Sequence, residues 1–275
     1  PKVTNRKALF VYTSDTHIGA YVSNDAIYEN NYNAVNFESR MRLLLAEILH
    51  LKNTFGAFDD VFILDLGDAL DGQNGQTTRG GHKLPQNMNN KEAFETYLKV
   101  HKNFYDMLVT NQVASHYHAY TVTEDNHAGD FGYYAARSLE TYLNLVYPQI
   151  ETQVFKKFIE HFSYGKHTFI VTHGKDSEDM KHGFPLVLND KAENYINKYI
   201  RYHKIDSEHI HFIKGDLHQE SIQATDSFRY RNVLSMFGSS KWMMNNFSAT
   251  GKGGCSIEIV EPDTSRIFQH KIEFK

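Results

Sequence analysis

Five short segments of this 275-residue chain place metal-binding side chains directly after hydrophobic runs. The segments are Ser14-Asp15-Thr16-His17, Gly67-Asp68-Ala69-Leu70-Asp71, Asp125-Asn126-His127, Thr172-His173-Gly174 and Gly215-Asp216-Leu217-His218. Four follow apolar runs that predict β-strands, and the third follows the looser aromatic run 117–122. Residues at the ends of successive strands meet at one edge of a sheet, so we expect one shared site. The Asp, Asn and His side chains suit Mn, Fe or Zn, which predicts an enzyme.

Composition and charge limit the other classes. The length suits one large domain, residues 1–275. With 29 Lys and Arg against 33 Asp and Glu, the formal charge is −4, which argues against a uniformly basic nucleic-acid coat. The single cysteine, Cys255, excludes an internal disulfide framework and a Cys-based zinc site. No apolar run approaches the ~20 residues of a membrane span, and no signal-peptide segment is seen, so we expect a cytoplasmic protein.

Hydrophobic periodicity predicts the order of the elements. Helical spacing of apolar residues predicts helices at 38–55, 91–110, 131–145 and 190–203. A hairpin is predicted from Phe158–Phe162 and Thr168–Thr172, and later strands from Val233–Phe237, Cys255–Val260 and Arg266–Glu273. Strand–helix alternation followed by hairpins predicts an α/β (α+β) chain with two sheets packed face to face and helices outside.

The order and spacing of the five segments resemble the calcineurin-like metallophosphoesterase superfamily. Its pattern runs D-x-H, G-D-x-x-D, G-N-H, a lone His, then G-H-x-H, and the resemblance spans roughly residues 8–260. It implies a four-layer α/β/β/α sandwich of two mixed sheets flanked by helices. Two positions depart from the pattern: Asp125 replaces a Gly, and Asp216 replaces a His that binds metal in the family.

The resemblance implies a centre of two divalent metal ions and a role for each residue. The implied ligands are Asp15, His17, Asp68, Asn126, His173, Asp216 and His218. Asp68 would bridge the ions. Asp15, His17 and His218 would hold the first ion, and Asn126, His173 and Asp216 would hold the second. A carboxylate at position 216 favours Mn, with Fe, Zn, Mg or Ni as alternatives.

The same resemblance implies hydrolysis by a metal-bound hydroxide without a covalent enzyme intermediate. His127 would donate a proton to the leaving oxygen or steady the phosphoryl charge, and Asp71 would orient a histidine ligand. Asp125 would either orient His127 or cap the following helix.

Two stretches without acidic residues are candidate substrate loops. Residues 72–91 carry Arg79, His82 and Lys83, which could bind phosphates, although a flexible polar loop would look the same. Residues 235–256 carry Trp242 among Lys241, Phe247 and Lys252, a mixture that suits stacking on nucleobases. Equally, Trp242–Met244 could be a lid over the core.

The leading interpretation is a phosphodiesterase or nuclease acting on DNA or nucleotides. A loose similarity to phage phosphoesterases and to repair nucleases of the SbcD type favours this interpretation. The same similarity favours a protein that is encoded by a phage and made in a bacterial host. No helical arm for docking an ATPase is visible. A phosphomonoesterase or phosphoprotein phosphatase is the alternative enzyme. A binding or scaffold protein with weakened catalysis is the alternative of another class, and the oligomeric state is left open.

Overall fold

Two mixed β-sheets form the framework of the computed structural model, which describes residues 6–23, 27–176, 178, 180, 182–247 and 252–274. The strands are β1 (Ala8–Thr13), β2 (Phe58–Asp65), β3 (Ala114–Val122), β4 (Ile150–Phe155), β5 (Glu160–Tyr164), β6 (His167–Thr172), β7 (His209–Lys214), β8 (Ser221–Ala224), β9 (Arg229–Asn232), β10 (Gly254–Val260) and β11 (Ile267–Glu273). The helices are α1 (Ala34–Phe55), α2 (Asn90–Thr110), α3 (Asp130–Val146), α4 (Asp190–Tyr202) and α5 (Lys241–Phe247).

The first sheet has the strand order β11-β10-β1-β2-β3-β4, and the second has the order β5-β6-β7-β9-β8. Strands β1 to β4 are parallel, as are β6, β7 and β9, so both groups end on one side. The remaining strands pair antiparallel. In the first sheet β10 lies beside β1 and β11 is at the edge, and in the second sheet β5 and β8 form the two edges. The predicted mixed sheets are confirmed.

Alternation along β1 shows how the sheets pack. Phe10 points to the second sheet, where its ring centre lies 4.3 Å from that of Phe169, and it also stacks at 4.5 Å on Phe62 of the neighbouring strand β2. Its neighbours Leu9 and Val11 belong to the core on the opposite face, with the first three helices. Because β1 is buried on both faces, its sequence is a continuous apolar run rather than a polar–apolar alternation.

The helices form the two outer layers. In α1, Phe37, Met41, Leu44, Ile48 and Leu51 face the first sheet, and the Asn33 side chain caps the helix by accepting from the amides of residues 35 and 36. Helices α2 and α3 join the same core. Helix α4 covers the second sheet through Ala192, Ile196 and Ile200. The four-layer arrangement and the four predicted long helices are confirmed, with boundaries shifted by a few residues.

One strand prediction is wrong. Val233–Phe237 is buried but forms no strand. It continues from β9 and crosses to the first sheet, where the amides of Met236 and Phe237 donate to the carbonyls of Ser14 and Asp15. A segment that passes between sheets cannot pair along either one, although its apolar residues are as buried as those of a strand. The predicted hairpin and the last two strands are confirmed, with β5 beginning at Glu160. None of the described helices is long and apolar enough to cross a membrane.

Candidate metal centre

The five predicted segments follow β1, β2, β3, β6 and β7, and their side chains meet where these strands end. Within the residues that the structure describes, three groups of side chains could each hold a metal ion, with ligand atoms no more than 4.8 Å apart. The groups are Asp15, His17 and His218; Asp15, Asp68 and His173; and His17, Asp68 and His127. Residues more than 200 positions apart in the chain therefore form one cluster.

Asp68 lies at the middle of this cluster. Its Oδ2 is 3.1 Å from His173 Nε2, 3.9 Å from His17 Nε2 and 4.0 Å from His127 Nε2. Its Oδ1 accepts the backbone amide of His127 at 3.1 Å. One carboxylate that faces three imidazoles has the placement that a bridging ligand requires.

Asp15 and two histidines form the second side of the cluster. Asp15 Oδ1 is 3.2 Å from His218 Nε2 and 3.9 Å from His17 Nε2, and the two imidazole nitrogens are 3.3 Å apart. Asp15 Oδ2 accepts from the Ser14 hydroxyl at 2.5 Å and from the Asp216 amide at 3.2 Å. Asp15 Oδ1, in contrast, is buried, and none of its contacts with the described residues has both the distance and the angles of a hydrogen bond.

The outer nitrogen of each ring is already bound to an acceptor. The Nδ1 of His173 lies 2.9 Å from the Leu66 carbonyl, and that of His218 lies 2.5 Å from the Gly238 carbonyl. His17 Nδ1 lies 3.0 Å from Asp71 Oδ1. A carbonyl can only accept, so Nδ1 carries the proton and a neutral ring presents its Nε2 lone pair to the cluster. Lone pairs and carboxylate oxygens that converge in this way fit divalent cations.

Backbone conformation sets these residues apart from the rest of the chain. Eight described residues other than glycine have positive φ, and five of them are in the predicted segments: Asp15 (52°), His17 (43°), Asp68 (51°), Asp216 (71°) and His218 (55°). Left-handed conformations are unfavourable for residues with a Cβ and concentrate at functional sites, where surrounding contacts enforce them. The strain is therefore confined mainly to the turns that carry the ligands.

Two glycines allow these turns to approach one another. A Cβ at Gly67 would lie 3.1 Å from the His173 ring nitrogen Nδ1, and Gly67 also has a φ of 95°. A Cβ at Gly215 would overlap the Ser14 hydroxyl and lie 2.9 Å from Asp15 Oδ2. Only glycine fits where the turn after β7 packs on the end of β1.

The third segment adds an amide and an imidazole. Asn126 Oδ1 is 3.1 Å from His173 Nε2. His127 Nδ1 lies 3.4 Å from the Asp71 carbonyl and 3.6 Å from Asp71 Oδ1, so Asp71 contacts both His17 and His127. Burial lowers the pKa of His127, but the charges of Asp68 and Asp71 outweigh this effect and raise it to about 9.

The Asp125 carboxylate binds backbone amides on two turns. Its Oδ1 accepts the amides of Ala128 and Gly129, and its Oδ2 accepts the amide of Asp68 at 3.0 Å. Two roles were predicted for Asp125. This geometry favours the role in which Asp125 caps the turn that leads into α3, rather than the role in which it orients the His127 ring. It also fixes the turn of Asp68. Burial, together with the nearby Asp68 charge, raises the pKa of Asp125 to about 7.

Asp216 is the one predicted ligand whose carboxylate joins none of the three groups. Its backbone amide reaches Asp15, whereas its Oδ2 would lie 3.4 Å from a Cβ at Gly183. Its role as a metal ligand stays a prediction. The sequence analysis missed Lys214, which is fully buried beside this turn. Burial lowers its pKa to about 8, against the raising effect of Asp216 and Asp15. A lysine directly between the apolar pair Phe212-Ile213 and the Gly215-Asp216 turn was the available signal.

The candidate substrate residues are not all free to bind a ligand. Arg79 Nη1 donates to the Asp176 carbonyl and lies 3.7 Å from its carboxylate, so this cation is largely engaged within the protein. His82 and Lys83 are exposed. Trp242 is 62 % exposed, so the tryptophan itself does not act as a core lid, although Met244 is buried. The Phe247 side chain and residues 248–251 lie outside the described residues.

No protein-family model and no curated protein matches this chain. Solved structures that are similar include Vps29 from Entamoeba histolytica with zinc (13 % identity, 97 % of this chain and 99 % of that one, TM-score 0.40). A predicted phosphoesterase from Streptococcus pneumoniae is 12 % identical over 98 % of this chain and 91 % of that one, with a TM-score of 0.41. An archaeal phosphodiesterase is 13 % identical over 97 % and 99 %, with a TM-score of 0.46.

Proposed function

We propose that the chain is a metal-dependent phosphoesterase with a centre for two divalent ions, and that its substrates are phosphodiesters in nucleic acid or nucleotides. The observation that carries the proposal is the sharing of ligands. The two described ligand groups that do not contain His127 share Asp15, and Asp68 Oδ2 lies 3.9 Å from His17 Nε2 of one group and 3.1 Å from His173 Nε2 of the other. Overlapping groups of this kind suit two neighbouring ions better than one. Lewis acidity toward phosphoryl oxygens and activation of water are the chemistry that such ions supply.

The protein's own contribution is a set of metal-binding side chains that are held in fixed orientations. The Nδ1 atoms of His17, His173 and His218 are held by oxygen atoms of Asp71, Leu66 and Gly238, so each ring is fixed in orientation and tautomer. Asp68 places one carboxylate oxygen among the rings and anchors the other on the His127 amide. A preformed centre of this type loses little free energy to reorganisation when a phosphoester binds.

His127 is the candidate proton donor. Its side chain is 20 % exposed, whereas those of His17, His173 and His218 are 5 % exposed or less, so His127 lies at the open side of the cluster. The carbonyl and carboxylate oxygens of Asp71 lie beside Nδ1 of His127, which leaves its Nε2 available to a leaving oxygen. Proton donation from this atom would neutralise the alkoxide that leaves when the phosphoester bond breaks.

The loop of residues 72–91 supports a polyanionic substrate. The amides of Thr78 and Arg79 donate to the carbonyls of His127 and Asn126, so the loop lies against the segment that supplies both side chains. His82 and Lys83 are exposed on this loop, which contains no acidic residue. The Lys83 ammonium, together with His82 as a hydrogen-bonding group, would bind the neighbouring phosphates of a diester chain.

The experiment compares metal content and substrate choice. Protein stripped with a chelator is reloaded with Mn²⁺, its bound metal is quantified, and hydrolysis of bis-p-nitrophenyl phosphate, p-nitrophenyl phosphate and DNA is measured. We expect two ions per chain and a preference for diesters. The matched control is Asp226→Asn, an exposed aspartate between β8 and β9, which should behave as the wild type. Absence of bound metal would favour a scaffold protein, and hydrolysis restricted to the monoester would favour a phosphatase.

A further inference from the structure

Lys214 is a buried cation that the chemistry above does not use. It is the last residue of β7, and none of its surface is exposed. A buried ammonium ion is costly unless it is paired and hydrogen-bonded. Its Nζ donates to the Asn232 side-chain oxygen at 2.5 Å and to the Gly215 carbonyl at 3.0 Å.

The Gly215 carbonyl belongs to the same peptide unit as the Asp216 amide. In a planar trans peptide the C=O and N–H point in opposite directions. Lys214 Nζ binds the oxygen end of this unit, and the N–H end donates to Asp15 Oδ2 at 3.2 Å. Asp15 thus receives donors on Oδ2, while Oδ1 stays free to face His17 and His218.

The neighbouring turns are shaped around the lysine. A Cβ at Gly174 would lie 3.1 Å from Lys214 Cδ and 3.4 Å from Nζ, so the residue after His173 leaves room for this side chain. The Asn232 side chain also donates to the Gln219 carbonyl at 2.5 Å. Lys214 and Asn232 therefore bind the segment 215–219 near both of its ends, and this segment carries His218.

We propose that Lys214 is a positioning residue of the metal centre, which orients the Gly215–Asp216 peptide and thereby the Asp15 carboxylate and the His218 turn. The proposal rests on the two-ion centre proposed above. An ammonium donor polarises the peptide more strongly than a neutral donor would, and this strengthens the N–H bond to Asp15. No part of Lys214 reaches solvent, so it does not contact substrate.

The test is Lys214→Met, which keeps an unbranched side chain of similar size up to the Cε position but removes the charge and the donors of Nζ. Metal-free proteins are titrated with Mn²⁺ by calorimetry, and their Co²⁺ absorption spectra are recorded. Loss of a residue that orients a ligand typically weakens metal binding about 10–100-fold. We expect a loss of this size at one of the two sites, together with an altered Co²⁺ spectrum.

Two control variants separate positioning from stability. Ile196→Ala removes buried volume from α4, in a core cluster that contains none of the predicted ligands, and should lower the melting temperature without changing metal affinity. Lys191→Met makes the same chemical change at an exposed position of α4 and should have no effect. If Lys214→Met does not fold, Asn232→Leu removes the oxygen that accepts from Nζ and should weaken the same metal site to a smaller extent.

Unchanged metal affinity in Lys214→Met, or in Asn232→Leu where Lys214→Met does not fold, would overturn the proposal, even if the variant melts earlier. Tighter binding in Lys214→Met would also overturn it, because the ammonium would then act only by repelling cations. Failure of the wild-type protein to bind two ions would instead refute the proposed function, so the two failures are distinguishable.

Discussion

Two buried histidines should each destabilise the metal-free protein in mild acid, against the opposite contribution of Asp125, whose pKa is raised. His101 lies in α2 under the first sheet, and its Nδ1 is 2.8 Å from the Tyr97 carbonyl. Burial lowers its pKa to about 4, and burial likewise lowers the pKa of His211, in β7, to about 3. Both values lie below the ~6.5 of an unfolded histidine, so the unfolded chain binds more protons than the folded one. The stability that these groups contribute is complete above pH 6.5 and is lost as the pH falls toward 4.

The size of the loss follows from these pKa values. At pH 5 an unfolded imidazole is almost fully protonated, whereas the folded His101 and His211 remain mainly neutral. Each therefore lowers the free energy of unfolding by about 2 kcal/mol between pH 7 and pH 5, or about 4 kcal/mol together. Asp125, whose pKa is raised to about 7, gains stability over the same interval, so the histidine contribution is measured as a difference between variants.

The perturbation is His101→Gln, which keeps a donor for the Tyr97 carbonyl but cannot titrate. Urea unfolding of chelator-treated protein at pH 7 and pH 5 gives the stability change for the wild type, for this variant and for the surface control His50→Gln. We expect His101→Gln to lose about 2 kcal/mol less than the wild type over this interval. Equal losses in the variant and the wild type would refute the buried-histidine explanation.

Three further predictions concern the metal centre. Asp68→Asn should weaken both metal sites and abolish most hydrolysis, because a neutral amide cannot bridge two cations; metal content near two with normal turnover would contradict it. His127→Asn should retain both metals and slow hydrolysis by about 10²–10⁴-fold, with smaller losses for good leaving groups. Loss of metal instead would make His127 a ligand, a possibility that its place in one ligand group raises. Replacing His82 and Lys83 with Ala should lower the salt slope of DNA binding by about 0.7–0.9 for each phosphate that the loop no longer neutralises, relative to Lys191→Ala. An unchanged slope would remove this loop from the substrate site.

The sequence by itself determined the strands, the main helices and the convergence of five segments. Apolar runs such as 8–12 and 168–171 predicted buried strands, because strands covered on both faces need no polar positions. Parallel strands end on one side, so Asp15, Asp68 and His173 could be expected to meet before any distance was known. Val233–Phe237 was misinterpreted because burial, rather than pairing, produced its apolar pattern.

Only the tertiary structure decided how the polar side chains are partnered. It binds Asp125 to the Asp68 turn, engages Arg79 with Asp176, and keeps the Asp216 carboxylate outside the described ligand groups. It also places Lys214 on the peptide that orients Asp15. Hydrophobic periodicity has a signature in the sequence because it follows the local geometry of each element. A hydrogen bond between residues 100 or 200 positions apart depends on loop paths and left-handed turns, and these are set only when the sheets and helices have packed together.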